Sequence, residues 1–154
     1  MITRRYEKLD NNDVWNLHIT ALKATGAFSK SGKWDEDLNN IERNYLKNRG
    51  EFLVGLIDER IVAMGALRKI SNDVAEIKRM RVHPYYQRRG FGQEILEKLE
   101  GRAKELGYKA IQLDTTIKQI AAQNLYIKNG YSEIRREIEG WPLETIFYQK
   151  QLQK

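Results

Sequence analysis

At 154 residues, 41% of them hydrophobic and 31% charged, the chain is long enough to bury a core as one domain over residues 1–154 and too apolar for a disordered polymer. It has no cysteine, which excludes a disulfide framework, a thiolate metal site and a cysteinyl-enzyme intermediate; His18 and His83 are too far apart in sequence to suggest a histidine-rich metal site. The net charge of +6 fits a solvated basic surface, a nucleic-acid binder or a protein that holds a phosphorylated cofactor.

Ile2 to Tyr6 reads as a first strand, and Asp10 or Asn12 as the cap of a helix carrying Val14, Leu17, Ile19, Ala21 and Leu22. A polar loop over 26–32 precedes a second predicted helix from about Asp35 to Lys47, with Leu38, Ile41, Tyr45 and Leu46 inward. Residues 52–57 and 61–67 are two apolar strands joined at Asp58-Glu59-Arg60, and Val74–Val82 continues the meander up to the His83-Pro84 turn. Ile95, Leu96, Leu99, Ala103 and Leu106 then recur at helical spacing. A strand over 110–115, a helix over 119–129 stopped by Gly130, and strands near 131–137 and 145–152 complete the order. The fold class is α+β or mixed α/β, a central sheet with helices packed on it.

Between the third strand of the meander and the long helix lies Gln87-Arg88-Arg89-Gly90-Phe91-Gly92. Strand, glycine turn and helix together aim free backbone N–H groups and a positive dipole end at one point, which suits a phosphate or pyrophosphate. Arg79, Arg81, Arg88, Arg89 and Lys128 lie in or near this region, which favours a small phosphorylated ligand; no zinc-finger spacing or aromatic RNA-binding segment favours nucleic acid. No apolar run of about 18 residues and no apolar leader are present, so no membrane partner and a cytoplasmic location are expected.

Three ordered stretches carry a resemblance over essentially the whole chain. They are Ala75-Glu76-Ile77 through Val82-His83-Pro84, the 87–92 turn, and Ala122-Gln123-Asn124-Leu125-Tyr126-Ile127-Lys128-Asn129-Gly130-Tyr131. In this order they resemble the GNAT superfamily of acetyl-CoA-dependent N-acetyltransferases. The resemblance implies a mostly antiparallel sheet of six to seven strands with helices on both faces, acetyl-CoA as co-substrate, no metal, an amine acceptor that is a small molecule or peptide, and a possible homodimer.

It also implies site residues. The amides of Arg88 through Gly92 would grip the pyrophosphate, with Gly90 and Gly92 permitting close approach and Gln87, Arg88, Arg89, Phe91 and Lys128 around it. The backbone of Met80, Arg81 and Val82 would pair with the pantetheine arm, as an added strand does, and an N–H near Met80 would stabilise an oxyanion. Gln119 stands where family members often carry an asparagine that fixes the cofactor, and Asn124 is near it. Tyr126 is the expected proton donor to the leaving thiolate, against a purely packing role on its helix. Glu76 is the expected base for the amine, against ion pairing with Lys78, Arg79 or Arg81. A catalytically silent coenzyme A-binding module is the alternative function. The acceptor is expected to contact residues 26–34, the second helix and Trp141-Pro142, where Phe28, Trp34 and Trp141 either line a pocket or belong to the core.

Overall fold

The computed structural model describes residues 1–26, 33–138 and 144–152, with the side chains of residues 33 and 34 outside that set. Seven strands form one sheet: β1 (Ile2–Arg5), β2 (Glu51–Ile57), β3 (Arg60–Lys69), β4 (Val74–Val82), β5 (Ala110–Thr116), β6 (Ser132–Glu137) and β7 (Thr145–Gln151). Their order is β1-β2-β3-β4-β5-β7-β6, and every neighbouring pair is antiparallel except β4 with β5. A parallel pair needs a crossover, and α2 (Phe91–Glu105) supplies it. The β2–β3 turn places both Asp58 and Glu59 at positive φ, as a tight two-residue hairpin requires.

Helices cover both faces. On one, Ile95, Leu96, Leu99 and Ala103 of α2 pack on Leu67, Ile77 and Leu113, with Tyr126 of α3 (Ile120–Lys128) in the same core. On the other, Val14 and Leu17 of α1 (Asn11–Thr25), with Leu38, Ile41 and Tyr45, cover Phe52, Val54 and Met64. The inner strands β2 and β3 are therefore apolar on both sides, which is why they read as unbroken runs.

Two local expectations are corrected. Asp10 stands at the N-cap position of α1 as expected but does not bond the first turn with its side chain: its carboxylate takes two bonds from Arg4 (2.7 and 2.9 Å) and one from the Glu7 N–H (2.8 Å). The predicted second helix is two short pieces, a tight turn over Lys33–Asn39 and a wide one over Glu42–Leu46 closed by Lys47 N–H to Glu42 O at 3.2 Å. The break falls where Asn40 turns its side-chain oxygen to the Arg43 N–H (3.0 Å) and starts a new turn. Asp35 and Asp37 both reach Arg79. In an α-helix they would point about 160° apart and in the tighter winding about 120°, so the shared partner favours the latter.

Two features of β4 shape the site. Gly65 on β3 faces both Arg79 and Met80, because Met64 pairs with Arg81 and Ala66 with Lys78. This bulge, with Arg79 at φ 59°, resets the alternation, so Met80 and Val82 face the same core as Ala75 and Ile77 while Arg81 turns towards α1. A Cβ at Gly65 would stand 2.6 Å from Ile95 and 2.7 Å from Met80, so only glycine lets α2 close over the bulge. In addition, β4 and β5 stop pairing at Ile77 and Leu113 although they continue to Val82 and Thr116. The sheet splays there, leaving a strand edge open.

Candidate active site

The splay opens into a cleft of about 430 Å³ between the end of β4, residues 86–93 and α3. Met80, Arg81, Val82, Gln87, Arg88, Gly90, Phe91, Gly92, Gln119, Asn124, Tyr126 and Lys128 all line it. His83 N–H donates to Val62 O on β3 (2.8 Å), and alternate strand residues turn their amides to opposite edges, so Met80 and Val82 direct their backbone groups into the gap.

The floor of the cleft is a nest of amides. Arg88 and Gly90 are both left-handed, at φ 65° and 82°, which curls consecutive N–H groups inward. Gly90 is the cap of α2 and has no side chain to satisfy the first-turn donors, so these remain available to an anion. A Cβ on Gly90 would meet nothing within 4 Å, and the cost of Gly90→Ala is the backbone's alone. We expect it to lower stability by about 1 kcal/mol. Gly92, inside the helix with only ordinary contacts near its Cβ, should keep or gain stability as alanine. Urea unfolding of the two variants checks the opposite signs.

Tyr126 is placed by the end of α3. Gly130 is left-handed (φ 89°), Tyr131 N–H bonds Tyr126 O (3.1 Å) and Gly130 N–H bonds Ile127 O (3.1 Å), the double closure that brings residue 131 back onto 126. The two rings meet edge to face at 5.9 Å. This explains the spacing Tyr126…Gly130-Tyr131: the glycine terminates the helix and the second tyrosine locks the first. A reciprocal amide pair between Gln93 and Asn129 (2.7 and 2.8 Å) ties α3 to the first turn of α2. The Tyr126 ring is 97% buried, being 3% exposed, yet its hydroxyl has no partner among the described residues and is not sealed. Burial raises its pKa, with Arg81 pulling the other way, so the phenol stays protonated at neutral pH.

Behind the cleft runs a buried polar chain. Arg81 Nε donates to His18 Nδ1 (3.3 Å), His18 Nε2 meets Asp35 Oδ1 (2.9 Å), and Asp35 and Asp37 share Arg79, whose partner Asp37 also accepts from Tyr45.

The acetyltransferase (GNAT) family pattern matches residues 13–131. The chain belongs to that family. N-acetylaspartate synthetase of Xenopus tropicalis is 32% identical over 100 residues, 64% of this chain and 37% of that protein, so the chain spans well under half of that relative's length. A GNAT-family acetyltransferase from Staphylococcus aureus Mu50 superposes with a TM-score of 0.89 at 26% identity, covering 99% of both chains. A Salmonella typhimurium acetyltransferase solved with its cofactor acetyl-CoA shares the fold at a TM-score of 0.79 and 18% identity, over 99% of this chain and 94% of that one.

Within this family framework, two of the expected site residues lie outside the cleft. Arg89 stacks over the rings of Tyr85 and Tyr86 at 5.3 and 5.2 Å. Glu76 faces away from the α2 core and accepts from Arg68 Nε (2.7 Å) on β3, not from Lys78, Arg79 or Arg81. Gln119 lines the cleft, but its Oε1 already accepts from Thr115 Oγ1, Thr116 N and Thr116 Oγ1. Phe28 and Trp141-Pro142, with the side chain of Trp34, fall outside the described residues. Sequence reading missed His18, Asp35 and Asp37 as a network, and it missed Asp114, a β5 carboxylate whose pKa burial pushes up against the pull of Lys78. No helix among the described residues is long and apolar enough to cross a membrane.

Burial, then the charges of Arg81 and Arg79, draws the His18 pKa from 6.5 down to about 4. The unfolded chain takes up that proton near 6.5 and the folded chain does not, so stability is full above that pH and falls on acidification to about 4. The loss amounts to roughly 3 kcal/mol. Urea unfolding between pH 7 and 4 should show this limb, flattened by about one proton in His18→Gln.

Proposed function

We propose that the chain is an N-acetyltransferase that moves an acetyl group from acetyl-CoA to a primary amine, by direct attack with both substrates bound, within one catalytic domain. The observation that carries this reading is the unpartnered Tyr126 hydroxyl opening on the same cleft as the amide nest of residues 88–93. The residues fit the cofactor: the nest with Arg88 and Lys128 suits a diphosphate, and the open edge at Met80 and Val82 suits the amides of a pantetheine arm. When bound, acetyl-CoA supplies the acyl group as an activated thioester.

The chain's own groups then handle protons. Tyr126 Oη holds a proton in the cleft and delivers it to a leaving group there. The acceptor ammonium must lose one to become nucleophilic, and the polar face of β4 and β5 offers Glu76 and Asp114. Glu76 holds Arg68, whereas Asp114 has no partner among the described residues, and its raised pKa makes it the readier base. The acceptor is a small-molecule or peptide amine.

Thiol release from acetyl-CoA over a panel of primary amines, paired with calorimetric titration of acetyl-CoA, tests the proposal. We expect saturable binding and amine-dependent thiol. Binding without thiol from any amine would leave a silent coenzyme A-binding module, and absence of binding would remove the reading altogether.

A further inference from the structure

Arg81 is a cation set into the sheet with no carboxylate bonded to it among the described residues, although Asp35 and Asp114 lie near enough to feel its charge. Its Nε donates to His18 Nδ1 at 3.3 Å and one Nη1 hydrogen goes to Met80 O at 2.9 Å. Because Nδ1 of His18 accepts, the hydrogen-bond pattern puts the imidazole proton on Nε2, where Asp35 takes it at 2.9 Å. His18 is thus a neutral spacer, and the Asp35 charge is engaged by Arg79 at 3.3 Å. Among the described residues no carboxylate pairs with Arg81. Its second Nη1 hydrogen and both on Nη2 find no acceptor, yet none of its nitrogens is a sealed, unsatisfied atom. Arg81 lines the cleft, and its unbonded Nη2 is not sealed in the interior. Burial and the nearby Arg79 draw its pKa down to about 10, the mark of a charge held at a cost and still present at neutral pH.

The cofactor does not supply the missing anion. Its diphosphate belongs at the 88–93 nest, and the arm that would lie along β4 is uncharged. The bulge at Arg79 also separates the two functions of the strand: the Met80 and Val82 side chains face the α2 core, while Arg81 faces α1 and His18. The fork of a fixed guanidinium matches a carboxylate in two parallel bonds. We propose, resting on the acetyltransferase reading, that Arg81 receives the carboxylate of the acceptor, which makes the acceptor a free amino acid or similar small aminocarboxylate. Arg81 and Tyr126 line the same cleft, so the anchored carboxylate and the reacting amine share one pocket. His18 acts as a positioning residue, fixing the guanidinium through Nε. An amine carried at a peptide N-terminus has no carboxylate at that distance and is disfavoured.

The test compares kcat/KM for the standard L-amino acids with that for their carboxamides. In the unaltered protein the acid should be preferred on the order of 100-fold. Arg81→Met should collapse the preference mainly through KM of the acid, and carboxamide turnover should change far less. Arg81→Lys, which keeps the charge without the fork, should restore part of it. Since a substitution in β4 can disturb folding, the comparison in the unaltered protein stands by itself. Equal use of acid and carboxamide, or preference for peptide N-termini, overturns the assignment and leaves the acetyltransferase reading intact. If no amine is acetylated, calorimetry on the coenzyme A-loaded protein decides: saturable binding of acids but not carboxamides supports it, and any other pattern overturns it.

Discussion

Tyr126→Phe is expected to lower kcat by about 10²- to 10⁴-fold, the range contributed by a positioned general acid. The variant removes one oxygen and nothing else. The ring would keep its contacts with Tyr131 and Tyr148, at 5.9 and 6.1 Å between centroids, so the core should pack as before. The hydroxyl has no partner among the described residues, so its loss orphans no buried group, and the melting temperature should hold or rise slightly. Acetyl-CoA affinity, which the proposed function assigns to the 88–93 nest and the β4 edge, should stay within a few-fold. Steady-state kinetics, calorimetry and a thermal melt together separate the catalytic from the packing role. Unchanged turnover with unchanged stability would leave Tyr126 as a core aromatic only.

The second large effect is on stability. Arg79 is 9% exposed at its side chain and Asp37 15%, and the pair is bidentate, with Asp35 as a further partner. Burial works to raise the Asp37 pKa, but the Arg79 bond and charge, with the Tyr45 hydroxyl, hold the carboxyl below its usual range. Arg79→Met would leave two largely buried carboxylates without this cation, which should cost about 3–5 kcal/mol. For a chain of this size that lowers the melting temperature by roughly 6–20 °C. Arg79→Gly should be milder by about 1 kcal/mol, because the position is left-handed at φ 59° and glycine relieves that strain. A double variant, Arg79→Met with Asp37→Leu, should recover part of the loss, since the damage lies in unpaired charge. Differential scanning calorimetry of the three reads it directly. If Arg79→Met melts with the parent protein, the ion pair does not hold the bulge.

The Arg79 result bears on function through geometry. The bulge turns Met80 and Val82 to one face and Arg81 to the other, so a β4 straightened at residue 79 would exchange those faces. Cofactor and acceptor groups would be misplaced together, and kcat/KM should fall even where some folded protein survives.

Much of this architecture was present in the sequence as local pattern. Strand β4 was readable over its full Val74–Val82 extent, the glycine turn before α2 was evident, and Gly130 marked the end of α3. Each depends on residues within one or two turns of each other: an apolar period, a left-handed glycine, a helix stop. The resemblance then gathered Met80, Gly90 and Tyr126 into one cleft, where the splayed sheet holds them.

What the chain's order of residues left open were choices among distant partners. Glu76 had three cations within five residues and took Arg68, because the β3–β4 register sets those two opposite each other. His18 looked like an isolated histidine; it meets Arg81 across 63 positions only after α1 lies on the sheet. The segment after residue 35 carries a helical apolar period, but the shared demand of Asp35 and Asp37 for Arg79, more than 40 residues away, winds it otherwise. Local conformation follows short-range sterics and hydrogen bonds that a sequence displays. Pairing of buried charges follows strand register and packing, and those exist only once the whole sheet has formed.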